Sequence, residues 1–317
     1  LINMKLETEQ LLGTLELLNE SLQVYDEQVE GNYQTFYWDS SIKGEFNLWK
    51  LMKDEQYIQK ISPKTAISQW ILDEWLHPIA TDNDIYPPDH PKYGKFLNPN
   101  IKVERYKVYK ELYDLLNSNL EQLEAYKINI DINQKLDLLY FLVGKINNDT
   151  WLVISPSVGR RQKIPHWIYY LDLDEYQNNF KNIYQLQPRI ETLLKKLKPL
   201  RLCNCYPDGH GYIFKYYYSY ALAKTRTEAF IQAFIKANIL QIKRFVSLSS
   251  DYYQSFYNDD KRRKTIYLLN RFFQKHFDNT TLYHLAMYDN DYTYILSEIS
   301  NKDLLGLEIY RSYRYFS

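Results

Sequence analysis

VYKELYDLLNSNLEQLEAYKI at residues 108–128, LDLLYFLVGKI at 136–146, NND at 147–149 and TWLVIS at 150–155 form the stretch on which the fold turns. The first segment repeats apolar residues at helical steps and reads as a helix. The next two are rich in Leu, Val, Ile and aromatic residues, and the short Asn-Asn-Asp turn between them makes a hairpin. A helix followed by a hairpin, each with an apolar face, predicts an α+β core.

Towards the N-terminus, residues 5–25 place Leu11, Leu12, Leu15, Leu18 and Leu22 at three- and four-residue steps, an amphipathic helix. An acidic segment from Asp26 to Glu30 leads to a strand at 32–38, broken by Asp39-Ser-Ser41. Two helices are expected around 46–61 and 64–76, the second opened by Ser62-Pro63. Five prolines between His77 and Asn100 mark a long loop. Towards the C-terminus, the text turns basic at Val158, and Pro165 suggests a junction between a domain at 1–158 and a domain at 159–317. In the second, strands are expected at 167–173 and 212–221, with a turn-rich connection at 203–211. Helices are expected at 188–197, over TRTEAFIQAFIKANILQIKRFV (225–246, with a Thr225/Glu228 capping box), and three or four times within 251–317.

The chain has 317 residues, 45% hydrophobic and 25% charged, which are globular proportions. Its 32 tyrosines accompany abundant Asn, Ile and Lys and are read as compositional bias. Two cysteines, no basic-then-apolar leader and no apolar run of about 20 residues point to the cytoplasm and away from a membrane span. Net charge is zero, but 1–158 carries 15 Lys and Arg against 24 Asp and Glu, and 159–317 carries the reverse, 24 against 15. Such halves cover one another, or the acidic one meets a cationic cleft, or the basic one meets phosphates.

The run from Tyr109 to Val158, with Asn117-Ser118-Asn119-Leu120, Tyr126-Lys127, Leu142-Val143-Gly144 and Ile154-Ser155, resembles the cyanobacterial nuclease A inhibitor family. Phe36-Tyr37-Trp38-Asp39 is similar to that family's aromatic strand ending in Trp and an acid. The resemblance implies an N-terminal α/β/α sandwich-like domain, followed here by a mainly helical domain with a small sheet. It also implies that an acid just before the aromatic strand, Glu27 or Glu30, reaches the metal site of a sugar-nonspecific, magnesium-dependent nuclease. Trp38 and Asp39 complete the implied partner-binding set. A carboxylate suits that role because it can stand in for a phosphate oxygen near a metal or cation.

Other candidates are sparser. Cys203, Cys205 and His210 offer two thiolates and an imidazole, but lack a fourth zinc ligand and the usual spacing, so a turn is the better reading and no cofactor is expected. Arg271 and His276 have an Arg-x4-His spacing seen in helical ribonucleases. Lys261, Arg262, Arg263 and Lys264, with Arg271 downstream and Tyr252, Tyr253 and Tyr257 nearby, suit a phosphate backbone and stacked bases, or a solvated helix face. His77, His90 and His166 each adjoin a proline and read as surface or packing residues. The expectation is a non-enzymatic binding or regulatory protein that inhibits a nuclease or another phosphate-handling protein. The alternatives are a nucleic-acid-binding or ribonuclease protein acting through the basic half, and a structural subunit of an assembly.

Overall fold

The computed structural model describes residues 6–20, 22–26, 29–81, 84, 94–130, 139–147, 149–157, 163–173, 186–205, 211–249, 260–287, 290–299 and 302–313. The chain divides into two compact units, and the boundary does not fall at 158. One unit gathers 1–47, 162–176 and 240–316; the other gathers 48–161 and 177–239.

The first unit is built on one antiparallel sheet of seven strands in the order β1-β2-β14-β13-β12-β11-β7. These are β1 (Gln23–Asp26), β2 (Val29–Trp38), β7 (Ile168–Asp172), β11 (Leu240–Leu248), β12 (Thr280–Met287), β13 (Asn290–Glu298) and β14 (Leu304–Tyr313). Helices α1 (Leu6–Asn19) and α8 (Asp260–His276) cover one face: Leu15, Ile266, Leu269 and Phe273 pack on Leu282, Ile295, Leu307 and Ile309. The other face carries an aromatic row in which Phe36 meets Tyr294 edge-on at 5.4 Å and Tyr292 meets Tyr310 at 4.8 Å. Between these rows Gly306 leaves no room for a side chain, since a Cβ there would lie 1.8 Å from the Ile295 carbonyl oxygen.

The expected helical C-terminal half is overturned here. After α8 the chain runs as three strands, Thr280–Met287, Asn290–Glu298 and Leu304–Tyr313, paired antiparallel in one continuous register. Nearly every residue of β13 is buried, on both faces, so its text lacks the polar alternation that marks a half-exposed strand.

The second unit has a five-stranded antiparallel sheet, β10-β6-β5-β4-β3, and a two-stranded one, β8-β9. Its strands are β3 (Ile58–Ile61), β4 (Gln122–Ile128), β5 (Leu139–Asn147), β6 (Thr150–Pro156), β8 (Leu200–Cys205), β9 (Gly211–Tyr216) and β10 (Tyr218–Ala223). Helices α3 (Leu48–Asp54) and α7 (Arg226–Lys236) lie on one face, where Phe141 meets Trp49, Phe230 and Phe234. Helices α4 (Pro63–Leu76), α5 (Pro99–Asn119) and α6 (Leu186–Lys196) share the other core, with Trp70, Leu112, Ile190 and Leu193 packed with Leu142 and Ile154. The sandwich expected of residues 1–158 therefore does not form from them, since residues 1–47 belong to the other sheet. Among the described residues no helix is long and apolar enough to cross a membrane.

Candidate functional site

Charge is sorted by unit. The first contains 14 Lys and Arg against 21 Asp and Glu, the second 25 against 18, giving −7 and +7. Much of the acidity lies in residues 1–47, with nine acids against two lysines. Helix α1 buries Thr8, Leu15 and Asn19 and exposes Glu7, Glu9 and Glu16, with Glu20 exposed in the turn that follows and its N–H donating to the Glu16 carbonyl at 3.0 Å. Glu9, Gly13, Glu16 and Glu20 recur at three- and four-residue steps and so share one stripe. Beside them Leu6 and Leu17 are 69% and 75% exposed, an acidic surface with apolar points.

The expected inhibitory residues are placed unevenly. Glu27 lies outside the described residues. Glu30 belongs to β2, its backbone opposite Tyr25 of β1 and Ser312 of β14, and its side chain is outside the described set. Trp38 is buried and donates its indole N–H to the Gly44 carbonyl at 2.9 Å, with Phe46 edge-on at 5.3 Å. Asp39 caps the short helix α2 (Ser40–Lys43), accepting from the Ser41 hydroxyl at 2.5 Å and the backbone N–H groups of Ser41 and Ile42. Those bonds, the Ser41 hydroxyl first, hold its carboxyl below the usual range. The two stretches that carry the family resemblance fall on different sheets, Phe36–Trp38 on β2 and Tyr109–Ser155 within the second unit.

On α8, Lys261, Lys264, Arg271 and His276 are exposed, while Arg262 and Arg263 are part-buried and Arg263 pairs with Asp260. Arg271 and His276, five residues apart on a regular helix, point about 140° apart around its axis, too far to address one phosphate together. Cys203 is buried in β8, opposite Ile213, and Cys205 pairs through its backbone with Gly211. The Cys205 side chain and His210 lie outside the described residues, among which no cluster of His, Cys, Asp or Glu is arranged for a metal.

Two buried networks went unseen in the sequence. In the second unit the Glu74 carboxylate is gripped by Arg105, Nε to Oε2 at 2.7 Å and Nη2 to Oε1 at 2.5 Å, while Nη1 donates to the Lys198 carbonyl at 2.9 Å. Tyr109 donates to the same carboxylate, and the Tyr218 hydroxyl lies 2.6 Å from that of Tyr109. Burial works against the Arg105 cation, and Glu74 more than restores it, so its pKa rises. Burial, then the charge of Glu74, pushes the neighbouring Asp73 carboxyl up to about 7, so it holds its proton in mild acid and is about half ionised at neutrality. Burial lowers the pKa of His77, whose Nδ1 lies 2.7 Å from the Asp73 carbonyl oxygen. In the first unit Arg311 grips Asp291 in the same bidentate way, at 2.9 and 2.6 Å, beneath the Trp167 ring at 5.3 Å. The partners stand 31 and 20 residues apart in sequence, and only the Arg105/Tyr109 spacing on α5 hinted at a shared inward face.

A surface groove of about 680 Å³ runs between α5 and α6. Leu115 and Leu193 form its floor, and Lys107, Lys110, Arg189 and Lys196 stand along it with Glu111 and Asp114. Lys196 and Glu111 meet across it at 3.5 Å.

These features define a two-unit α+β protein with an acidic helix surface on one unit and a cation-edged groove on the other. No family model, no curated protein and no solved structure matches the chain.

Proposed function

We propose that this chain is a binding and regulatory protein whose acidic unit occupies the cationic, phosphate-accepting site of a partner protein, a sugar-nonspecific nuclease being the named candidate. The observation that carries this reading is the exposed stripe of Glu9 and Glu16 on α1 with Glu20 just past its end, in a unit of net charge −7. Carboxylates on a rigid helix pair with the lysines, arginines or metal that otherwise hold phosphate. The unit's net charge accelerates encounter with a positive cleft. Leu6 and Leu17 add apolar contact beside the charges, which a purely electrostatic encounter would lack. The resemblance to nuclease A inhibitors supplies the class of partner, with Glu27 and Glu30 as further carboxylates of the same unit. The cytoplasm is the compartment this reading assigns, on the strength of two cysteines only.

Purified protein titrated into a magnesium-dependent, sugar-nonspecific nuclease should suppress DNA cleavage in proportion to its concentration. Charge reversal of Glu9, Glu16 and Glu20 to Lys should abolish the effect, and Glu27→Gln with Glu30→Gln should weaken it. Undiminished cleavage at large molar excess rejects the proposal.

A further inference from the structure

We infer that the groove between α5 and α6 binds a phosphate-bearing ligand of the nucleotide class, either a free nucleotide or the backbone of a single strand. Its four cations come from both walls, Lys107 and Lys110 from α5 and Arg189 and Lys196 from α6, so a phosphate placed between the helices meets positive charge from two sides. Arg189 and Lys196 stand seven residues apart, about 10 Å along the helix, so the positive edge extends beyond a single phosphate.

The floor adds a different chemistry. Leu115 and Leu193, almost wholly buried, present a narrow apolar edge to a sugar or base, and about 680 Å³ falls within the range of small-ligand clefts. The two carboxylates in the groove set the terms of entry. Glu111 is engaged by Lys196 at 3.5 Å, but both side chains are about half exposed, and such a pair contributes little. An incoming phosphate therefore displaces Glu111 from Lys196 at small cost, while Asp114 remains as an acceptor for hydroxyl or amino groups of the ligand. The unit's net +7 steers an anion towards the groove. The site lies on the unit opposite in charge to the one proposed to bind a nuclease, and neither idea rests on the other.

The test uses the full chain, a fluorescein-labelled single strand of about ten nucleotides, and a fluorescent mononucleotide. If all four cations engage the strand, the logarithmic salt slope is about −2.8, which weakens binding about 50-fold between roughly 50 and 200 mM salt. The Lys107→Ala/Lys110→Ala and Arg189→Ala/Lys196→Ala variants each halve that slope, leaving about a sevenfold salt effect. Glu111→Gln tightens binding, whereas Glu104→Gln, an exposed acid on α5 that does not line the groove, leaves it unchanged. Saturable binding of the strand that a mononucleotide fails to compete identifies backbone as the ligand; saturable mononucleotide binding lost in the same variants identifies the free nucleotide. The proposal is overturned if neither probe saturates at low salt, if both double variants bind like the parent, or if Glu104→Gln tightens binding as much as Glu111→Gln.

Discussion

Asp73→Asn probes the interior of the second unit through a difference that changes with pH. Burial and the adjacent Glu74 charge lift the Asp73 carboxyl from 3.8 to about 7. The folded chain therefore keeps a proton that the unfolded chain releases near pH 4. The stability tied to that proton is complete below the unfolded pKa and is lost as pH rises through the folded one. A difference of about 3 pK units at about 1.36 kcal/mol each gives an upper bound of about 4 kcal/mol. Because Asp73 is only part-buried as a residue, solvent screening reduces this to about 2 kcal/mol. Asparagine keeps the shape and cannot ionise. At pH 8 the variant should be more stable than the parent by about 2 kcal/mol, and at pH 4 the two should agree within about 0.5 kcal/mol. Burial depresses the pKa of His77, which adds its own loss of stability below about pH 6.5, but both proteins share it and it cancels in the difference. Urea unfolding of both proteins from pH 4 to pH 8 supplies the measurement. A stability difference that stays constant across this range, or a carbon-detected NMR titration of Asp73 with a midpoint near 4, refutes the reasoning.

Two further perturbations separate packing from charge. Arg311→Met strands Asp291 without its bidentate partner and should cost about 3 to 5 kcal/mol by thermal unfolding, while adding Asp291→Leu should recover most of the loss; a double variant no better than the single one would show that volume, not charge, dominates. Gly306→Ala drives a Cβ against the Ile295 carbonyl oxygen and should cost about 3 kcal/mol or prevent folding, whereas Gly144→Ala clashes with the Leu120 side chain, which can turn aside, and meets the Gln122 carbonyl oxygen only at 3.3 Å, and should cost about 1 kcal/mol; equal losses in denaturant unfolding would contradict that contrast.

Local chemistry was legible where a single residue decides the structure. Ser62 caps α4, Pro63 opens it, and Thr225 with Glu228 forms the expected capping box. The hairpin of β5 and β6 also lies where its turn residues placed it. Two helices were read too far for related reasons. The segment from 108 to 128 leaves the helix at Asn119 and continues as β4, whose Leu, Ala and Tyr suit either structure. The segment from 225 stops at Lys236 because Asn238 takes a left-handed backbone, φ 60°, and the Ile239 N–H returns to the Phe234 carbonyl at 2.9 Å. Asparagine tolerates that conformation, but an interior Asn in a sequence does not announce it. The C-terminal strands misled for another reason. β13 is buried on both faces and lacks the polar alternation of a half-exposed strand, so its Tyr, Thr and Ile content is the remaining signal for strand over helix. Of the candidate site, the acids of residues 1–47 were visible as composition. The α5–α6 groove was not, since its walls lie about 80 residues apart and lysines on each helix alone look like solvated faces.

The central partner of β2 is β14, in register from Val29 opposite Tyr313 to Trp38 opposite Leu304. During synthesis at about 5 to 20 residues per second, β2 leaves the ribosome roughly 15 to 50 s before the strand that completes its pairing exists. Until then β1 can satisfy only one edge of β2, and the other displays unpaired N–H and C=O groups beside Phe36 and Trp38. The second unit, whose strands and helices all precede residue 240, can close in that interval. Growth of the nascent chain should thus be the slow variable in the first unit's assembly, and premature termination ahead of Leu304 should release a chain with one finished unit and one open, adhesive sheet.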